Sequence, residues 1–310
     1  MTALLFSGQA SQYVGMFKDI AAEFSAAREM IKHADSLLNY PLSQICFDGP
    51  VEKLRETRYT QPAIYLHSCL IMNLIKDKIN FEAVAGHSVG EYAALYSAGA
   101  ISFEDGLRIV SLRGDLMFSA GEFEPGTMFA IIGLDDNKIE ELCKELTDDG
   151  NGDVIVPANY NSPGQLVVSG SAEYLRKNSY LFKEAGAKMI TELPVSGAFH
   201  SPLMLPAKEQ LEKAILETRF HDALVPIYTN VYAKPTINAD ELENALIFQL
   251  TSPVLWTQTM LNMKENGIEK FVEVGPGKVL QGLVKRTLSG VQFSGLDKAE
   301  DVNKIMNYEL

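Results

Sequence analysis

The chain reads as an α/β protein: a large subdomain on a mainly parallel sheet, carrying an inserted ferredoxin-like βαββαβ subdomain. Three observations predict it. Short apolar runs alternate with amphipathic stretches in both outer parts of the chain, the pattern of parallel strands and their crossover helices. Between residues 125 and 196 that rhythm becomes strand, helix, strand, strand, helix, strand. Finally, Gly86-His87-Ser88-Val89-Gly90 lies between a strand-like and a helix-like run, the nucleophile elbow of hydrolase-like folds.

The elements follow in order. Residues 3–7 read as the first strand, 16–38 as helical and 61–77 as a second helix. The elbow strand, 81–85, precedes a helix over 91–100 that is rich in Ala, Leu and Tyr. Ser102 and Asp105 form an approximate capping box for a helix over 102–121. The inserted unit comprises strands at 127–134, 154–159, 165–169 and 188–195, with helices at 137–146 and 171–185. Asn161-Ser162-Pro163-Gly164 supplies the turn between its central strands. Beyond His200 come a helix (203–218), a strand (225–230), helices near 240–250 and 254–266, a strand (270–274) and a helix after Gly277. The expected domains are therefore 1–124 with 197–310, and 125–196.

Composition narrows the function classes. With 310 residues, 46% hydrophobic and 22% charged, the chain can bury a sizeable core. Asp, Glu, Lys or Arg interrupts every apolar stretch before it reaches membrane-spanning length. Met1-Thr2-Ala3-Leu4-Leu5-Phe6 lacks the basic region and cleavage site of a signal peptide. Cys46, Cys69 and Cys143 are widely spaced, which fits a reducing compartment, so the cytoplasm is expected. A net charge of −13 argues against nucleic-acid binding. Gly275-Pro276-Gly277-Lys278 is no phosphate loop, because Val272 and Val279 stand where Gly and Ser or Thr are required. The five histidines make no zinc spacing, and neither metal nor cofactor is expected.

A serine nucleophile needs a base, since a free hydroxyl is weak at neutral pH. His200, in Gly197-Ala198-Phe199-His200-Ser201-Pro202, is the best candidate: it occupies a loop just ahead of a Pro-started helix. His87 adjoins Ser88 in sequence but points elsewhere; His67 belongs to an apolar helix, and His33 and His221 to polar surroundings. Arg113 falls amid the apolar face formed by Ile109, Val110, Leu112, Leu116 and Met117, whereas Arg108 faces out, four residues after Glu104. A guanidinium on that face needs a partner. A protein carboxylate and a substrate carboxylate both satisfy this requirement.

Taken together, these motifs resemble the malonyl-CoA:acyl carrier protein transacylases, acyltransferases of fatty-acid and polyketide synthesis. The resemblance runs from Phe6-Ser7-Gly8-Gln9-Ala10-Ser11-Gln12 to Glu273-Val274-Gly275-Pro276-Gly277-Lys278-Val279-Leu280, through Thr60-Gln61-Pro62-Ala63, the elbow with Glu91, Arg113-Gly114, Asn161-Ser162-Pro163-Gly164-Gln165, Gly197-Ala198-Phe199-His200-Ser201 and Gln249-Leu250-Thr251-Ser252-Pro253-Val254. Ser7 and Ala10 depart from the family's usual Pro and Gly. The resemblance implies Ser88 as nucleophile, His200 as base, and the backbone N–H groups of Gln9 and Val89 as oxyanion hole. It further implies that Arg113 grips the malonyl carboxylate and that the Gln249 carbonyl orients His200. Phe199 would exclude an α-methyl, and Asn161 and Gln165 would line the acyl and coenzyme A cleft. The partners implied are malonyl-CoA and holo acyl carrier protein, with the enzyme a monomer. The alternatives are an acyl-thioester hydrolase on the same scaffold, a non-catalytic docking module, and a trans-acting acyltransferase of a polyketide synthase.

Overall fold

A computed structural model describes residues 1–195 and 197–307. Among the described residues ten strands form two sheets: β1 (Thr2–Phe6), β2 (Ala83–Gly86), β3 (Gly126–Ile132), β4 (Ile155–Ser162), β5 (Gln165–Ser171), β6 (Met189–Glu192), β7 (Ile227–Tyr228), β8 (Pro235–Thr236), β9 (Lys270–Val274) and β10 (Gln292–Leu296). The larger sheet has the order β10-β9-β1-β2-β7-β8, parallel throughout except for β8 against β7. β1 lies at its centre, and its unbroken apolar run follows from burial on both faces. Leu4 and Phe6 pack into one hydrophobic cluster while Ala3 and Leu5 pack into another across the sheet.

The smaller sheet is antiparallel with the order β4-β5-β3-β6. Its elements run in the βαββαβ order expected from the sequence, around a core of its own that includes Ile131, Leu166, Val168 and Phe182. The helix expected over 171–185 is two helices, Ala172–Asn178 and Tyr180–Glu184. β6 covers only 189–192 of the 188–195 expected, and Ser196, at the end of the expected 125–196 unit, lies outside the described residues.

Several other expectations are corrected. Residues 16–38 form two helices, Lys18–Glu23 and Ser25–Leu38, because Phe24 takes an extended conformation between them. Helices Leu42–Asp48 and Val51–Arg55 fill a stretch with no strong periodicity, and the next helix starts at Thr57 and contains Pro62. The strand expected over 225–230 pairs only at Ile227 and Tyr228. β10, an edge strand with exposed Gln292, Phe293 and Ser294, and the helix Ala299–Asn307 extend the fold beyond the sequence reading.

Candidate active site

Three adjacent parallel strands deliver their following residues to one place. Gln9 lies just beyond β1, Ser88 just beyond β2 and Asn230 just beyond β7, at the carboxyl ends where open α/β sheets carry their sites. Ser88 has φ 52°, left-handed for a residue with a Cβ. The flanking glycines are there because the chain has no room. A Cβ on Gly86 would lie 2.0 Å from the Gly90 carbonyl, and one on Gly90 would lie 2.2 Å from the Phe6 oxygen. The elbow thus presses against the end of β1 and projects the serine from the turn into helix Gly90–Ser97.

His200, also left-handed at φ 58°, places Nε2 2.8 Å from Ser88 Oγ. Its Nδ1 lies 3.0 Å from the Gln249 carbonyl oxygen and 3.1 Å from that of Ser252. Carbonyls only accept, so Nδ1 carries the proton and Nε2 offers its lone pair to the serine hydroxyl. Burial, and next the charge of Arg113, press the imidazole down to about 3. Ser88 therefore faces a neutral imidazole.

Arg113 is 1% exposed on the helix Phe103–Phe123, which Ser102 caps by accepting the Asp105 N–H at 3.0 Å. Its Nη1 donates to Gln61 Oε1 at 2.7 Å, and its Nη2 to Gln249 Oε1 and Ser88 Oγ, each at 3.1 Å. Every one of these acceptors is neutral. Among the described residues no carboxylate forms an ion pair with Arg113, and its buried Nε has no partner. Burial lowers its proton affinity, and Tyr92 and Glu91 oppose that effect. The arrangement is a fixed cation beside the Ser88 hydroxyl, with donor capacity to spare.

The remaining sequence candidates divide. Val89 is buried at the N-terminus of the elbow helix. The Gln9 loop touches the elbow, since a Cβ on Gly8 would sit 2.6 Å from the His87 carbonyl oxygen. Neither the Gln9 nor the Val89 backbone N–H has a partner among the described residues. Phe199 is buried beside His200. Asn161 turns its Oδ1 to His87 Nε2 at 2.8 Å and braces that ring, which packs on Trp256. Gln165 opens β5 on the same hairpin, pairs with Ile132 and Ser162, and makes no side-chain hydrogen bond to the Ser88 cluster. His67 is a core residue, with Nε2 2.9 Å from the Asp297 carbonyl oxygen. Arg108 pairs with Asp105 rather than with Glu104, because Glu104 is taken by His33 at 2.9 Å.

The acyl transferase domain family matches residues 3–305. The malonyl CoA-acyl carrier protein transacylase of Haemophilus influenzae is 39% identical over 309 residues, covering 99% of this chain and 98% of that one. An acyl carrier protein S-malonyltransferase from Vibrio cholerae superposes with a TM-score of 0.92 at 38% identity, covering 98% and 99% of the two chains. A malonyl-transacylase solved in complex with a type II PKS acyl-carrier protein also reaches 0.92, at 36% identity with 98% of both chains covered. The chain belongs to the malonyl-CoA:acyl carrier protein transacylase family.

As a member of this acyltransferase family, the chain carries three polar residues at the site that were not among the sequence candidates. Gln61 holds Arg113, and Asn230 accepts the Ser88 N–H at 2.7 Å while donating to the Gly86 carbonyl at 2.6 Å. Glu91, 1% exposed, accepts from Asn230 N at 3.1 Å and Gln249 Nε2 at 2.8 Å, and burial lifts its carboxyl to about 7. Asn230 had a signal, at the carboxyl end of an expected strand. Gln61 and Glu91 had none beyond their places in motifs, since a helix pattern does not reveal which polar side chain is buried.

Proposed function

We propose that this enzyme transfers the malonyl group from malonyl-CoA to the phosphopantetheine thiol of holo acyl carrier protein, in fatty-acid biosynthesis, through a malonyl ester on Ser88. His200 Nε2 takes the Ser88 proton as Oγ attacks the thioester carbonyl. The resulting oxyanion is assigned to the N–H groups of Gln9 and Val89, donors that matter most once charge has developed. The tetrahedral intermediate collapses, and the proton passes from His200 to the departing coenzyme A thiolate. The carrier thiol then gives its proton to His200, attacks the ester and releases Ser88. The carbonyl of Gln249 keeps Nδ1–H in place throughout, so no acidic third residue is needed.

One observation carries the choice of substrate: a buried guanidinium 3.1 Å from Ser88 Oγ that forms no ion pair with a carboxylate among the described residues. A malonyl carboxylate completes that site, whereas an acetyl group leaves it uncompensated. Phe199 is assigned to exclude an α-methyl, and Asn161 to act through His87. Gln165 is placed in the cleft wall by resemblance alone. The same reading takes the enzyme as a cytoplasmic monomer with subdomains 1–124 plus 197–310 and 125–196. Three free, buried cysteines agree with a reducing compartment, and among the described residues no helix is long and apolar enough to cross a membrane.

Intact-protein mass tests the reading. Malonyl-CoA should add one malonyl group to the enzyme, and holo acyl carrier protein should then remove it and gain the same mass. Appearance of free malonate with an unmodified carrier protein would identify a hydrolase.

A further inference from the structure

We propose that Glu91 is a positioning residue for acyl transfer: its carboxylate sets which way the Gln249 amide faces, and through it the aim of Arg113. The inference rests on the reading of Arg113 as the partner of the malonyl carboxylate. Glu91 lies in the first turn of helix Gly90–Ser97, and its Oε2 accepts from two residues, Asn230 through N–H and Gln249 through Nε2. Both of these hold the nucleophile. Asn230 Oδ1 accepts the Ser88 N–H, and Gln249 Nε2 also donates to the Ser88 carbonyl at 3.0 Å. The N–H and the C=O of Ser88 are therefore each fixed by a residue anchored on one carboxylate oxygen.

The orientation of the amide follows from counting donors. Glu91 Oε2 and the Ser88 carbonyl are both acceptors, so the NH₂ of Gln249 must face them. Its Oε1 then faces away, where Arg113 Nη2 donates to it. With the acceptor at position 91 withdrawn, one N–H of that buried NH₂ is left unpaired and the amide loses one of the three hydrogen bonds that hold it. A turned amide would present a donor to a donor at Arg113. The backbone carbonyl of Gln249 also holds His200 Nδ1, so a displaced residue 249 reaches the base as well.

The reach of the oxygen, rather than the charge, is what this geometry uses. Two variants separate the two. Glu91→Gln keeps an acceptor oxygen at full reach and should leave the malonyl-to-acetyl ratio of Ser88 acylation within about threefold of wild type. Glu91→Asp keeps the charge but draws the oxygen back by one carbon–carbon bond, and should lower that ratio about tenfold, roughly the worth of one buried hydrogen bond. Rates are taken per folded protein, measured by circular dichroism, so a loss of stability alone does not move the ratio. An unchanged ratio in Glu91→Asp, or an equal loss in Glu91→Gln, overturns the proposal. A wild-type enzyme that acylates Ser88 with acetyl as readily as with malonyl overturns the underlying reading, and this proposal with it.

Discussion

At the scale of single residues, the site joins a strained serine to a neutral histidine and an arginine without an ion-pair partner among the described residues, each within hydrogen-bond reach of the serine hydroxyl. Ser88→Ala should abolish both adduct formation and transfer, read by intact mass. His200→Ala should slow acylation by about two to four orders of magnitude with much less effect on binding. The pH dependence is distinctive. With His200 held near 3 by burial and by Arg113, its acidic limb in the rate of Ser88 acylation should fall near pH 3 and not near 6.5. Removing the guanidinium in Arg113→Ala should move that limb upward, measured with acetyl-CoA. An inflection near pH 7 that disappears in Glu91→Gln would belong to Glu91. The two shifts act oppositely on stability. His200, depressed in the fold, contributes stability above pH 6.5 that is lost as pH falls towards 3. Glu91, raised in the fold, contributes most below pH 4.5 and loses it as pH rises through 7. Ser88, His200 and Arg113 were legible in the sequence because each breaks a local rule: a serine between glycines, a histidine in a loop, a charge on an apolar helix face. Gln61, Asn230 and Glu91 break none, and only the fold brings them together.

At the scale of elements, the elbow works because β1, β2 and helix Gly90–Ser97 approach more closely than side chains allow. Gly90→Ala should cost at least about 2–3 kcal/mol, since its Cβ would meet backbone atoms of Phe6 and Ser7 that cannot step aside. Thermal unfolding measures the loss, and any folded fraction should acylate poorly because Ser88 has been displaced. A Gly90→Ala variant with wild-type stability would show that the elbow has slack that the geometry denies. Elements with strong patterns were legible: β9 spans 270–274 as expected, and the capped helix after Ser102 carries Arg113 into the core. Short or exposed elements were not. β10 is a short, mostly exposed edge strand that mixes polar and apolar residues without a run, and the helices within 42–55 are too short to show a period.

At the scale of the whole molecule, the site lies where the antiparallel unit meets the parallel sheet. The Val254 N–H donates to the Ala158 carbonyl at 2.8 Å, and its carbonyl accepts from Tyr160 N–H at 2.9 Å, which extends β4 onto the larger unit. Asn161, at the end of β4, reaches His87 beside Ser88. Asn161→Ala should leave the fold intact and lower the rate of acylation by about tenfold, roughly one charge-free buried hydrogen bond. An unchanged rate would make the contact a packing detail. The alternation that marked the two units was visible in the sequence, but the contact between them was not, because no periodicity encodes how two sheets meet.

The central claim is that Arg113 chooses the acyl group. Its most direct test is the ratio of malonyl to acetyl transfer onto Ser88 in wild type, Arg113→Ala and Arg113→Lys. Among the described residues the guanidinium has only neutral acceptors, so its loss should remove several kcal/mol of transition-state stabilisation from malonyl alone, on the order of a hundredfold or more in the ratio. Lysine should restore the ratio only in part, because an ammonium cannot reproduce the bidentate fork. A ratio that stays the same across all three proteins would contradict the account and leave Arg113 a structural residue.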